Sequence, residues 1–170
     1  MVSVFMEKGF GIIETLVAIF LITVGLLAVL GLSNSSIQSA NYLRMKLVAS
    51  FLAQEGVETI RFAREASSDW NAWEWYDGNQ RPVGSSQNYL VQYNDGGWQD
   101  IANRLFVETP LEIDNGTYQY SSGTNSPFYR KMTLSKPSNN NEVKVEVEVK
   151  WQDKTGWQYI RAEDRLWNWR

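Results

Sequence analysis

Glu14 is the one charged residue in an otherwise apolar run, residues 10–32 (FGIIETLVAIFLITVGLLAVLGL). A carboxylate in hydrocarbon costs on the order of 2–3 kcal/mol at mid-span and less near an interface. Such a group sits among headgroups, takes up a proton, or meets a counter-charge. The chemistry it offers is a carboxylate awaiting a cation from another chain. Little else in the sequence could react. There is no His, the commonest general base and metal ligand, and no Cys to act as a thiolate nucleophile. No glycine-rich loop of phosphate-binding spacing appears. Asp69 and Asp77 could be drawn as a glycosidase pair, but no constellation surrounds them. Residues 94–100 supply oxygen ligands of the kind calcium takes, without the full loop spacing. The expectation is therefore a protein that is not an enzyme and has no cofactor and no metal. A net charge of -3 without a basic patch speaks against nucleic acid as a direct partner. The triplets at Asn34 and Asn115 fit the glycosylation pattern by chance-level spacing and are assigned no role.

A second group worth weighing is aromatic. Trp70, Trp73, Trp75 and Tyr76 crowd a polar, turn-rich stretch, and Trp98 follows a glycine pair. Large rings most often pack into a core or under a loop. Exposed, the same rings could stack on sugar faces, which makes these five residues a possible surface binding site.

These groups need elements to hold them. Residues 10–32 exceed the ~20 apolar residues that cross a bilayer as helix. A core helix is rarely apolar on every face for this length. A secretory signal has a shorter apolar stretch of about 7–15 residues and a cleavage site after it. Here Ser33-Asn34-Ser35-Ser36 is followed by helical pattern without a break, so an anchor that stays attached fits better. Lys8 before the span and Arg44 and Lys46 after it leave orientation undecided by charge. Residues 33–66 read as an amphipathic continuation: Ala40, Leu43, Leu47 and Phe51, flanked by Val48 and Leu52, then Ala53, Val57, Ile60 and Ala63, form one apolar stripe. Gly56 inside it predicts close packing or a bend. Residues 67–69 end the helix, which from residue 10 to about 64 would run ~80 Å.

Residues 67–170 read as an outer domain. Residues 69–88 are a loop folded over a sheet. Residues 89–93 are a short strand, and residues 105–107 and 117–120 are weaker ones. Residues 143–151 (VKVEVEVKW) alternate valine with charge, the pattern of a strand with one buried face. Residues 152–156 turn, residues 157–161 return antiparallel, and residues 129–134 add a third strand. The fold class is α+β: a long N-terminal helix, its first half transmembrane, packed on a C-terminal antiparallel sheet.

Lys8-Gly9-Phe10-Gly11-Ile12-Ile13-Glu14 resembles the prepilin processing motif of type IV pilin-like proteins. The resemblance implies a leader of residues 1–9, or a shorter one starting at Met6, cut between Gly9 and Phe10 by a prepilin peptidase that also methylates the Phe10 amine. It implies that Glu14, the fifth mature residue, docks against a neighbouring subunit. Gly11 replaces the usual Thr or Ser. Ala53-Gln54-Glu55-Gly56-Val57-Glu58 with Arg61, and the ending Leu166-Trp167-Asn168-Trp169-Arg170, resemble PilV-like minor pilins. The likeness covers both ends of the chain and little of the middle. It implies the pilin fold and a minor pilin's function, a structural subunit of a type IV pilus. Minor pseudopilins of type II secretion or DNA-uptake machines, and a filament-displayed carbohydrate-binding adhesin, are the alternatives. The implied partners are the peptidase, other pilin subunits met through the helix, an inner-membrane assembly platform and membrane lipid. The implied location is the bacterial inner membrane, single-pass with the outer domain extracytoplasmic, and then the pilus surface.

Overall fold

The fold is taken from a computed structural model that describes residues 11–66, 86–95, 101, 104–137 and 141–168. The chain divides into two compact units, residues 1–43 and 44–170.

Helix α1, Ile12–Ala66, begins in the first unit. Its early part has a mean hydropathy of 2.7 over the most apolar window, with none of that window buried, and it is long and apolar enough to cross a membrane. Its hydroxyls are satisfied within the helix. Thr15 Oγ1 donates to the Ile12 carbonyl at 2.8 Å, and Thr23 Oγ1 to the Ile19 carbonyl at 2.7 Å. Such back-bonding satisfies both hydroxyls without a partner outside the helix.

In the second unit the remainder of α1 accompanies two antiparallel sheets. The larger has the order β1-β5-β6-β7 (Ser86–Tyr89, Phe128–Ser135, Glu142–Asp153, Gly156–Trp167), and the smaller the order β3-β2-β4 (Thr117–Gln119, Glu112–Asp114, Thr124–Asn125). One long helix followed by an antiparallel sheet is an α+β arrangement. The valine alternation of β6 places Val143, Val145, Val147, Val149 and Trp151 in the core. Each buried valine is worth about 1.5–3 kcal/mol against exposure, which fixes which face turns inward. Strand β5 pairs with β6 from Phe128↔Trp151 to Ser135↔Lys144, so Phe128, Met132 and Leu134 share that inner layer. Strand β7 pairs with β6 along its whole length, from Asp153↔Gly156 to Glu142↔Trp167. The two residues between them, Lys154 and Thr155, make a tight hairpin whose exit needs the positive φ of 119° at Gly156. A second tight turn, Asn115-Gly116 with φ of 49° and 82°, joins β2 to β3.

On α1, Ala49, Leu52, Ala53, Gly56, Val57, Ile60 and Ala63 are buried at three- and four-residue spacing, and this side meets the sheet where Gly56 lies against Val147 and the Leu52 carbonyl accepts from Arg130. Gly56 does what its position predicts. A Cβ there would stand 2.9 Å from Val147 Cγ1 and 3.2 Å from Cγ2, so only glycine admits the valine without displacement.

Several expectations are corrected. The single apolar stripe is two stripes: Ala40, Leu43, Leu47 and Phe51 are exposed, whereas Leu52, Ala53, Val57, Ile60 and Ala63 are buried. Phe51 and Ile60 lie about two and a half turns apart, on opposite sides of the helix. The first strand is Ser86–Tyr89 rather than residues 89–93, because its pairing partner β5 selects the polar residues before Tyr89. Of residues 105–107, only Leu105 makes a ladder contact, an isolated bridge to Tyr89. Strand β7 runs to Trp167, well past the expected end at residue 161.

Candidate functional site

Glu14 stands in the first turn of α1, one residue position that a carboxylate favours for a local reason. Gly11 caps the helix: its carbonyl accepts the Glu14 amide at 3.0 Å and the Thr15 amide at 3.2 Å. In return Glu14 Oε2 accepts the Gly11 amide at 3.3 Å. This is the returning half of a capping box, placed where the positive end of the helix dipole also favours an anion. The offset Gly11-x-x-Glu14 was visible in the sequence as a helix start, a role the docking reading passed over. Around it Ile12, Ile13 and Leu16 are exposed. Gly9 and Phe10, the cleavage and methylation positions, lie outside the described residues. So do Trp70, Trp73, Trp75, Tyr76 and Trp98, together with Asp69 and Asp77.

The outer part of α1 is apolar on two sides. Its inner side is covered by the sheet. On the other, Leu47, Phe51 and Phe62 are 56–60% exposed. Glu55 and Glu58 share that outer side. A groove of about 450 Å³ opens there, lined by Glu55, Glu58, Thr59, Phe62 and Tyr93. Neither acid is free of cations: Glu58 Oε1 lies 2.6 Å from Arg61 Nη1 and Glu55 Oε1 lies 2.9 Å from Arg130 Nη1.

Arg130 holds the helix to the sheet. It occupies an inward position of β5 that the alternation would fill with an apolar side chain. Its guanidinium is 1% exposed and donates to the Leu52 carbonyl at 3.0 Å, to Glu55 and to the Val91 carbonyl. The Tyr120 hydroxyl donates to the Arg130 carbonyl at 2.9 Å, and burial raises that phenol above its ordinary range despite the nearby guanidinium. A buried charge persists only with such partners. Asp95 is the second buried clasp. One carboxylate oxygen accepts the Gln92 amide at 2.9 Å and the other takes Arg104. The candidate calcium stretch thus has its Asp95 carboxylate already engaged, and no group of three metal-binding side chains occurs among the described residues.

The outer face of the sheet carries a ladder of charge. Glu148 meets Lys131 at 3.3 Å and Arg161 at 2.6 Å, Lys144 meets Glu163 at 3.0 Å, and Arg165 meets Glu142 at 2.7 Å. Burial alone would push the Glu148 carboxyl up; Arg161 and Lys131 outweigh it and hold the group below its ordinary value. The hydrogen bond from Lys144 lowers Glu163, and that from Arg61 lowers Asp164. At one end of this face, Tyr129 and Trp157 meet edge to face at 5.7 Å, with Lys150 Nζ 5.3 Å and 4.7 Å from the two ring centroids and Glu108 against the same ammonium. The sequence offered a signal for this group: Trp157 and Tyr159 alternate outward along a strand, opposite Lys150.

Compared with known proteins, the chain matches no family model, no curated protein and no solved structure.

Proposed function

We propose that this chain is a minor pilin, a structural subunit that enters a type IV filament after loss of residues 1–9. The observation that carries the reading is the two-sided outer helix. One side is buried beneath the sheet, while Leu47, Phe51 and Phe62 on the opposite side stay exposed in the single chain. A helix so exposed gains about 25 cal/mol for each Å² that a neighbouring helix covers. The apolar run before it supplies an anchor of membrane-spanning length. Leader removal creates an amine at Phe10 that is largely cationic near neutral pH, and Glu14 of a neighbour is its counter-charge. The capping bond to Gly11 does not conflict with this. A carboxylate has acceptor sites for both.

The test has two parts. Mass analysis of the mature protein should begin at methylated Phe10; a start beyond residue 32 means an ordinary cleaved signal and ends the reading. Membrane and sheared-filament fractions are then compared for wild type, Glu14→Gln and Glu14→Leu. Glu14→Leu inserts as well as wild type but is depleted from filaments, because the partner amine is buried without a counter-charge. Glu14→Gln falls between. Association of the isolated subunits in detergent separates a docking defect from an end-of-filament position.

A further inference from the structure

We propose that the aromatic end of the outer sheet face, built on Trp157 and Tyr159 beside Lys150 and Glu108, is a binding platform for a neutral glycan. Tyr129, Lys150 and Tyr159 are aligned across β5, β6 and β7. Trp157 and Tyr159 stand two residues apart on one face of β7, where the backbone rises about 7 Å between them. Trp157 is 42% and Tyr159 53% exposed. The Trp157 ring is held in place by its edge-to-face contact with Tyr129 and by the Lys150 ammonium over one of its faces, which leaves the other for a ligand. Fixing a large ring before binding lowers the entropy lost on association.

Charge selects the class of ligand. Beside the rings lies a cavity of about 110 Å³ lined by Phe106, Glu108, Tyr129, Lys131, Glu148 and Lys150. Its two carboxylates and three cations are all paired, Lys150 with Glu108, Lys131 with Glu148, and Arg130, which also lines it, with Glu55. An ionic ligand finds no unpaired charge in this lining to attract it. A polyol needs none, because it donates to spare carboxylate lone pairs and accepts from spare ammonium hydrogens. The cavity has room for about three or four waters at ~30 Å³ each, which suits a hydroxymethyl or acetamido substituent and not a sugar ring. The ring itself lies outside, its C–H face on Trp157 or Tyr159. Apolar ring faces with a donor and an acceptor at their edge are what a pyranose requires. The platform lies wholly within the second unit and its argument does not depend on the chain entering a filament.

The experiment is isothermal titration of the full chain, in a detergent without a sugar headgroup, with maltotriose, triacetylchitotriose and the anionic 3′-sialyllactose. Saturable binding of at least one neutral trisaccharide is expected, with 3′-sialyllactose at least tenfold weaker. Tyr159→Ala and Trp157→Ala should each weaken it at least tenfold, and Glu108→Gln severalfold. Trp167→Ala, which removes another exposed ring of the same strand, should leave it unchanged, and the thermal melt of each variant reports folding. Absence of saturable binding to both neutral sugars overturns the proposal. So does equal loss in Trp167→Ala, which would mean general stickiness, or tighter binding of the anionic sugar. Should Trp157→Ala fail to fold, Tyr159→Ala alone decides.

Discussion

Gly56 and Arg130 show how single residues set the join between helix and sheet. At Gly56 two effects oppose. Alanine gains about 1 kcal/mol of helix propensity, but its Cβ would meet both methyls of a fully buried valine, and overpacking costs about 1–3 kcal/mol. The crowding wins because a β-branched side chain on a central strand has no other rotamer to take. Gly56→Ala should therefore be destabilising by about 1 kcal/mol net. Val147→Ala should be less harmful in the Gly56→Ala background than in wild type, since the added methyl fills part of the cavity. A double-mutant cycle by chemical denaturation checks the sign of the coupling. Arg130→Ala removes donors from the Leu52 and Val91 carbonyls and leaves Glu55 without its cation. Glu55 is 34% exposed and water can take over its carboxylate, so the cost comes mainly from the buried carbonyls that lose a donor, about 1–3 kcal/mol, and this variant should melt at lower denaturant than wild type by the same measurement.

At the scale of elements, legibility followed the strength of the local pattern. Strand β6 could be read directly, since valine at every second position leaves one choice of inner face. The helix could be read too, but not which of its sides is covered: Leu47 and Phe51 are as apolar as Leu52 and Ile60, and only the sheet decides. Strand β1 reads Ser-Gln-Asn-Tyr, with no periodic signal, and exists through its ladder to β5. Arg130 was hidden by the rule that inward positions are apolar. Of the candidate site, Glu14 was legible as an anomaly, whereas the Tyr129–Trp157–Lys150 cluster needed the register of three strands to assemble. The charge ladder makes a prediction for this sheet. Glu148, Glu163 and Asp164 all titrate below their ordinary values when folded. Acid groups held low bind protons more readily unfolded, so their contribution is fully present above the ordinary carboxylate range, about pH 4–5, and is lost as pH falls through the depressed values. Melting temperature should hold from pH 7 to about pH 5 and then decline. The triple change Glu148→Gln, Glu163→Gln, Asp164→Asn should lower the plateau and flatten the decline. These pairs are partly exposed, so the plateau effect is small and shrinks in high salt.

For the whole molecule, the buried apolar core begins at Ala49 and ends at Leu166, entirely inside the second unit. A chain starting at Arg44 keeps every one of those residues. It should be soluble and show mixed helix and sheet by circular dichroism with a cooperative melt. A purely helical or unfolded spectrum would contradict the core as described. The full chain should instead require detergent, because the large apolar residues from Ile12 to Leu32 are exposed.

Arg61 and Asp164, bonded at 2.8 Å, are 103 residues apart in the chain. Synthesis runs from the N-terminus at about 5–20 residues per second, so the helix leaves the ribosome several seconds before the strand that completes its cover. The hairpin of β6 and β7 closes through two residues and needs only microseconds once made. The slow interval is therefore the wait for translation, not the pairing. During it the inner side of α1, with Leu52, Val57 and Ile60, is as bare as its outer side. A nascent chain in that interval is the species most open to proteolysis or to a holding chaperone, and its vulnerability falls as β5, β6 and then β7 arrive.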